Sequence, residues 1–140
     1  MVFFRDAADI YGADGLRPST AGAVGVDLRA CLDGMDECVV SPGRREGIPS
    51  GIAIAPQAPG FAGFVYSRSG LGAVKGLVVA QGVGLIDPDY RGEIRVFLLN
   101  TGTEPYTVKR GERIAQIVFQ PYFRPDFRLV DALDATERGA

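Results

Sequence analysis

The sequence contains no histidine. Imidazole-activated nucleophiles, histidine-ligated metals and histidine general bases are therefore excluded. Any catalysis falls to carboxylates, arginines, hydroxyls, backbone N–H groups or a borrowed cation. Four places carry such groups in patterns that strand-building does not require. Arg68-Ser69-Gly70-Leu71-Gly72 follows an apolar run ending at Tyr66. Its guanidinium, hydroxyl and backbone N–H groups suit a compact anion cradle, although the pentapeptide by itself reads more simply as an ordinary strand-to-turn corner. Residues 82–92 crowd Asp87, Asp89, Tyr90 and Arg91 around Pro88. Pro88 fits the second position of a type I turn with Asp87 at the first. Asp87 follows two apolar residues, so partial shielding from water is expected, which makes a carboxylate a better general base. Asp27 lies between Val26 and Leu28, where alternation lets it face solvent. Gln116 stands among apolar residues and needs either a buried partner or a cleft to line.

These residues need a frame, and the composition limits what it can be. Gly 19 and Pro 9 in 140 residues make the chain turn-rich and hostile to long helices, while 46% apolar residues exclude a disordered chain. A net charge of -2 without a block of like charges argues against general nucleic-acid or membrane binding. Arginines outnumber lysines thirteen to two, which fits genomic base composition and selection for bidentate anion contacts equally. Cys31 and Cys38 are too few for a metal cluster or disulfide scaffold, and Cys31 reads as a small buried apolar residue. No signal core and no span of roughly twenty apolar residues is present, so a soluble, cytoplasmic protein is expected.

Period-two segments recur between turn signals. Val26, Leu28 and Ala30 alternate with Asp27 and Arg29, and Ile48, Ile52 and Ile54 share one face of a stretch ending at Pro56. Residues 61–67 alternate, as do residues 93–100, where Arg95 faces away from Ile94 and Val96. Residues 106–108, 113–121 and 127–130 supply three more candidate strands. Asp33-Gly34, Ser41-Pro42-Gly43, Ala58-Pro59-Gly60, Thr101-Gly102 and Arg110-Gly111 punctuate them. One short turn of helix after Ser69 is allowed before Gly76. The pattern predicts one all-β domain over residues 1–140, an antiparallel sandwich or barrel with at most one short helix.

Taken together, the four places resemble the first four motifs of the trimeric dUTP pyrophosphatase (dUTPase) family. Residues 23–30 are similar to the first, Ser67-Arg68-Ser69-Gly70-Leu71 to the second, residues 84–92 to the third and residues 111–116 to the fourth. The third is the most specific. The resemblance implies a jelly-roll-like β-clip fold, a homotrimer with active sites between subunits, and Mg²⁺-dependent hydrolysis of dUTP to dUMP and pyrophosphate. It implies Asp87 as the general base, Tyr90 under the deoxyribose as a wall against a 2′-hydroxyl, and Arg68, Ser69 and Gly70 on the phosphate chain, assisted by Gln116. Uracil would be read by a hairpin over residues 81–87, through backbone groups around Leu85 and Ile86. Gln81 stands where some members carry asparagine. Arg95 would reach the nucleotide. No protein side chain would ligate the metal directly; Asp27 would act through water around the ion or by bracing the subunit interface.

The departure lies at the end. The family's fifth motif is a glycine-rich segment with an aromatic residue that closes over the nucleotide. Residues 134–140 resemble only its lead-in, so the motif is expected either after residue 140, the favoured reading, or absent. Competing readings are a deaminase acting on dCTP on the same fold, a catalytically silent nucleotide-binding regulatory relative, and a structural jelly roll without a ligand. Gly70 speaks against the deaminase, whose members tend to carry a second serine there. Asp87 speaks against the silent relative, and the missing fifth motif speaks for it.

Overall fold

A computed structural model describes residues 1–12 and 15–138. Among these residues lie eleven strands: β1 (Val2–Phe3), β2 (Val26–Arg29), β3 (Glu37–Val40), β4 (Arg45–Pro49), β5 (Ile52–Ala53), β6 (Phe61–Tyr66), β7 (Leu77–Val79), β8 (Gly84–Ile86), β9 (Arg95–Asn100), β10 (Tyr106–Lys109) and β11 (Arg113–Pro121). The helical pieces among the described residues are α1 (Ala7–Tyr11) and one π-helical turn (Gly70–Val74). The turn stands where the sequence allowed a short helix; α1 has no amphipathic length to announce it.

The sheets run β2-β11-β6-β8 and β4-β9-β7, with the two-stranded pairs β10-β3 and β1-β5 beside them. All pairings are antiparallel. Alternation decides which side chains face inward. In β9, Val96 and Leu98 are buried while Arg95 and Phe97 point out. In β11, Ile114, Ala115 and Ile117 are buried while Gln116 and Val118 lie half-exposed on the other face. Leu28, Ile48, Ile52, Leu77, Ile94, Leu98, Ile114 and Ile117 fill the space between the sheets. Each such side chain contributes roughly 1.5–3 kcal/mol on leaving water.

Three expectations change. Ile48 and Ile52 do not share one continuous strand: the chain breaks at Ser50-Gly51, where Gly51 adopts φ +75° and a Cβ would sit 2.6 Å from that of Ala7. Residues 81–87 do not form a hairpin. β7 and β8 belong to different sheets, and the corner between them turns at Gly82, with φ +80°. Residues 127–130 form no strand, because no neighbour on the chain offers them a ladder; Phe127 and Leu129 are fully exposed. Cys31 is buried as expected.

Ser50 and Tyr11 lock the strand break. Ser50 Oγ donates to the Ile94 carbonyl at 2.7 Å, and Tyr11 Oη donates to the Ser50 carbonyl at 2.9 Å while accepting from Arg29 N–H at 2.8 Å. Burial pushes the Tyr11 phenol up to about 12, so the group stays neutral and keeps both bonds through ordinary pH.

Candidate active site

The fold sorts the candidate residues into two cavities that share no lining residue. The first, about 290 Å³, opens where the edge strand β8 faces β9 across the sheet boundary. Asp87, Tyr90, Gln81, Leu85, Ile86 and Arg95 all line it. β8 pairs with β6 through Ile86↔Gly63, Leu85↔Phe64 and Gly84↔Val65, and it is the last strand of its sheet. Its other edge is free to offer N–H and C=O groups to a flat polar ligand, as an edge strand offers them to another strand. Gly84 permits this corner: a Cβ there would stand 3.1 Å from Val65 Cβ and 3.3 Å from Gln81 Nε2.

The turn after β8 places the carboxylate and the ring together. Tyr90 N–H donates to the Asp87 carbonyl at 3.0 Å, the closing bond of the turn that Pro88 predicted. Tyr90 Oη donates to the Glu93 carbonyl at 3.0 Å, folding the ring back over Gly92. Asp87 is exposed rather than shielded. The two apolar residues before it do not bury it, because Leu85 itself points outward at 58% exposure. Arg95 lines the same wall, with Nη2 donating to the Gly47 carbonyl at 3.0 Å.

The second cavity, about 450 Å³, is lined by Asp27, Arg68, Ser69 and Gln116 together with residues from the loop before β2 and Val118. Asp27 does not simply face solvent. Its Oδ1 accepts from Arg68 Nε at 2.7 Å, and its Oδ2 lies 3.4 Å from Arg113 Nη1. Gln116 lines the cleft and also has a partner, donating through Nε2 to the Ser67 carbonyl at 3.2 Å. Gly25 makes room for it: a Cβ there would meet Gln116 Oε1 at 2.4 Å. Gly70 lines neither cavity; it opens the π-helical turn directly after Ser69.

Sequence reasoning missed three contributors. Arg113 adds a second cation beside Asp27, hidden because a basic residue at a strand start is commonplace. Ser67 accepts Val79 N–H at 2.8 Å on its Oγ and so ties the start of the Arg68–Gly72 segment to β7. Glu93 accepts Gly51 N–H at 2.7 Å and pairs with Arg5. Neither partner is near it in sequence.

The donor set does not build a protein-held metal centre. Both Asp27 oxygens face guanidinium groups, and among the described residues no cluster of three or more His, Cys, Asp or Glu is placed to hold an ion. The lead-in over residues 134–140 ends at Gly139 and Ala140, which lie outside the described residues. No helix among the described residues is long and apolar enough to cross a membrane.

The dUTPase family model matches residues 13–140. The deoxyuridine 5'-triphosphate nucleotidohydrolase of Desulfitobacterium hafniense is 52% identical over 121 residues, covering 86% of this chain and 79% of its own length. That of Salmonella arizonae is 48% identical over 121 residues, covering 86% and 78%. Among solved structures, dUTPase from Streptococcus mutans superposes with a TM-score of 0.74 at 28% identity, over 90% of this chain and 98% of that one.

Proposed function

The chain belongs to the dUTPase family, and from that premise we propose that it hydrolyses dUTP to dUMP and pyrophosphate. Such an activity limits uracil incorporation into DNA and supplies dUMP for thymidylate synthesis. The observation that carries the reading is the first cavity: one carboxylate, one tyrosine ring and one open strand edge on a shared wall. No observation favours the deaminase-like or silent alternatives.

Asp87 is the general base. It takes a proton from water, whose oxygen bonds to the α-phosphorus as the bond from that phosphorus to the bridging oxygen breaks, and pyrophosphate leaves. An exposed carboxylate suits this role once the nucleotide covers it and excludes solvent. The outer edge of β8, at Leu85 and Ile86, reads the uracil, and a close fit there leaves no room for a 5-methyl group. The Tyr90 ring lies under the deoxyribose and excludes a 2′-hydroxyl. Arg68 and Ser69 hold the phosphate chain with Gln116 beside them, while Gly70 serves from behind by opening the turn that follows Ser69. Asp27 acts by anchoring the Nε edge of Arg68, which leaves the guanidinium tip for phosphate oxygens. Arg95 adds positive charge at the mouth of the base cavity. Mg²⁺ would be held through the substrate's phosphate oxygens and water rather than by protein side chains, and would supply charge neutralisation at the leaving group.

Substrate residues in two separate cavities favour completion of the site by a neighbouring subunit. The outward face of the β2-β11-β6-β8 sheet runs between them: Val118 stands opposite Phe64, and Phe64 opposite Leu85. Beyond β11, Phe123, Phe127, Leu129 and Leu133 leave the body almost fully exposed. Such apolar area is ordinarily covered by another chain, and a homotrimer with active sites between subunits is the assembly proposed. Light scattering tests it, and a monomeric mass would refute it. A cytoplasmic location goes with the substrate pool.

The decisive assay is pyrophosphate release with Mg²⁺ from dUTP, dTTP, dCTP and UTP. Turnover of dUTP with little from the others is expected. Asp87→Asn should still bind dUTP while losing at least about a thousandfold in kcat, the range set by removal of an essential base. Equal rates for dUTP and UTP, or an active Asp87→Asn, would refute the reading.

A further inference from the structure

The Tyr90 ring is 44% exposed, so packing alone does not hold it. Its position comes from one hydrogen bond, Oη to the Glu93 carbonyl at 3.0 Å, and from the missing side chain at Gly92, where a Cβ would stand 2.4 Å from that same oxygen. What fixes the Glu93 carbonyl therefore fixes the ring.

That carbonyl belongs to the peptide plane shared with Ile94 N–H. In a trans peptide the two groups point in opposite directions. Ile94 N–H donates to the Ile52 carbonyl at 2.9 Å, which aims the Glu93 carbonyl the other way, at Tyr90. The Glu93 side chain secures the near end of the plane: its Oε1 accepts Gly51 N–H at 2.7 Å and pairs with Arg5. Arg5 is the one non-glycine residue with positive φ among those described, at +51°. A left-handed backbone is uncommon for arginine and disfavoured by its Cβ. Around it, Phe4 N–H binds the Gly51 carbonyl at 2.7 Å. The amino-terminal strap is thus seated on the same strand break that receives Glu93.

We propose that Glu93, braced by Arg5, is a positioning residue for sugar discrimination: it holds the carbonyl that holds the Tyr90 ring against the place of a 2′-hydroxyl. The inference rests on the reading of the chain as a dUTP hydrolase. Glu93 lines neither cavity. Its effect runs through the main chain and falls on the sugar end of the cavity, because the uracil end is built on β8, which is paired independently with β6.

The test compares kcat/KM for dUTP, UTP and dTTP in the full chain, four single variants and one double variant. Glu93→Ala is expected to lower the preference for dUTP over UTP about tenfold, the factor that follows from loosening one hydrogen-bonded contact. The preference for dUTP over dTTP stays unchanged. Glu93→Gln keeps a side-chain oxygen for Gly51 N–H and restores the sugar preference to within about threefold of the parent. Arg5→Met shifts that preference in the same direction as Glu93→Ala by a smaller factor. Tyr90→Phe lowers it, and combining it with Glu93→Ala gives less than the product of the two, since both cut one linkage. A Glu93→Ala variant that keeps its sugar preference overturns the inference, as does one that loses base and sugar preference equally. Should Glu93→Ala fail to fold, unchanged sugar preference in both Arg5→Met and Tyr90→Phe overturns it. A parent chain that turns over UTP as fast as dUTP fails the functional reading itself and the inference with it. A selective parent with unaffected variants fails the inference alone.

Discussion

The two cavities are built in opposite ways. The first is walled by main chain: a free strand edge at β8, a turn closed by Tyr90 N–H on the Asp87 carbonyl, and a ring pinned to another carbonyl. The second is walled by side chains that neutralise one another, with Arg68 and Arg113 on either oxygen of Asp27. A pocket that must reject a methyl or a hydroxyl needs walls that do not move, and hydrogen-bonded backbone supplies them. A pocket for a highly charged chain needs donors that are pre-aimed yet available. A carboxylate counter-ion holding one edge of a guanidinium provides this without occupying its tip. On the proposed function, shape would be read where the backbone dominates, and charge where side chains do.

The sharpest way to break this division is Arg68→Ala. Loss of a pre-aimed guanidinium should cost about a hundredfold or more in kcat/KM for dUTP, while the preferences over UTP and dTTP remain as in the parent. Steady-state kinetics on the three nucleotides checks it. Selectivity that collapses along with rate would show that the two cavities are not independent. A smaller effect is expected from Asp27→Ala, about tenfold and mainly in KM, because Arg68 remains but swings free of its anchor. Asp27→Asn keeps an oxygen for Arg68 Nε and should lose only about threefold. Asp27→Ala and Asp27→Asn behaving alike would mean that the negative charge, rather than the hydrogen bond to Nε, is what matters.

The same division explains what was legible in the sequence. β9 and β11 could be read from alternation, since their buried faces are apolar at every second position and burial enforces that pattern. The members of the two cavities could be read because Asp87, Tyr90, Arg68 and Gln116 are out of place in such strands. Topology could not be read. The resemblance implies a hairpin over residues 81–87, yet β7 and β8, on either side of Gly82, part into different sheets and pair with β9 and β6. Residues 127–130 carry strand-forming side chains but find no partner within the chain. The exposure of Asp87 depends on where Leu85 points, and that follows from the register of β8 on β6. Glu93, Arg5 and Gly51 are joined only by the fold.

The finest test of the comparison is Gln81. It stands at the sheet-crossing corner, lines the first cavity, and its carboxamide reaches toward Gly84. If the base is read by side chains, shortening this residue should matter. If it is read by the β8 edge, it should not. Gln81→Asn withdraws the amide by one methylene and leaves every pairing of β8 with β6 in place. The expected change in kcat/KM for dUTP is within about threefold, with the preference over dTTP unchanged, since a solvent-exposed amide contributes less than one buried hydrogen bond. A loss above tenfold confined to dUTP would make the Gln81 carboxamide a direct reader of uracil, and the base cavity would then depend on a side chain as the phosphate cavity does. A loss shared equally by dUTP and dTTP would instead trace to the corner itself, where Gly82 and Gly84 let the chain pass from one sheet to the other.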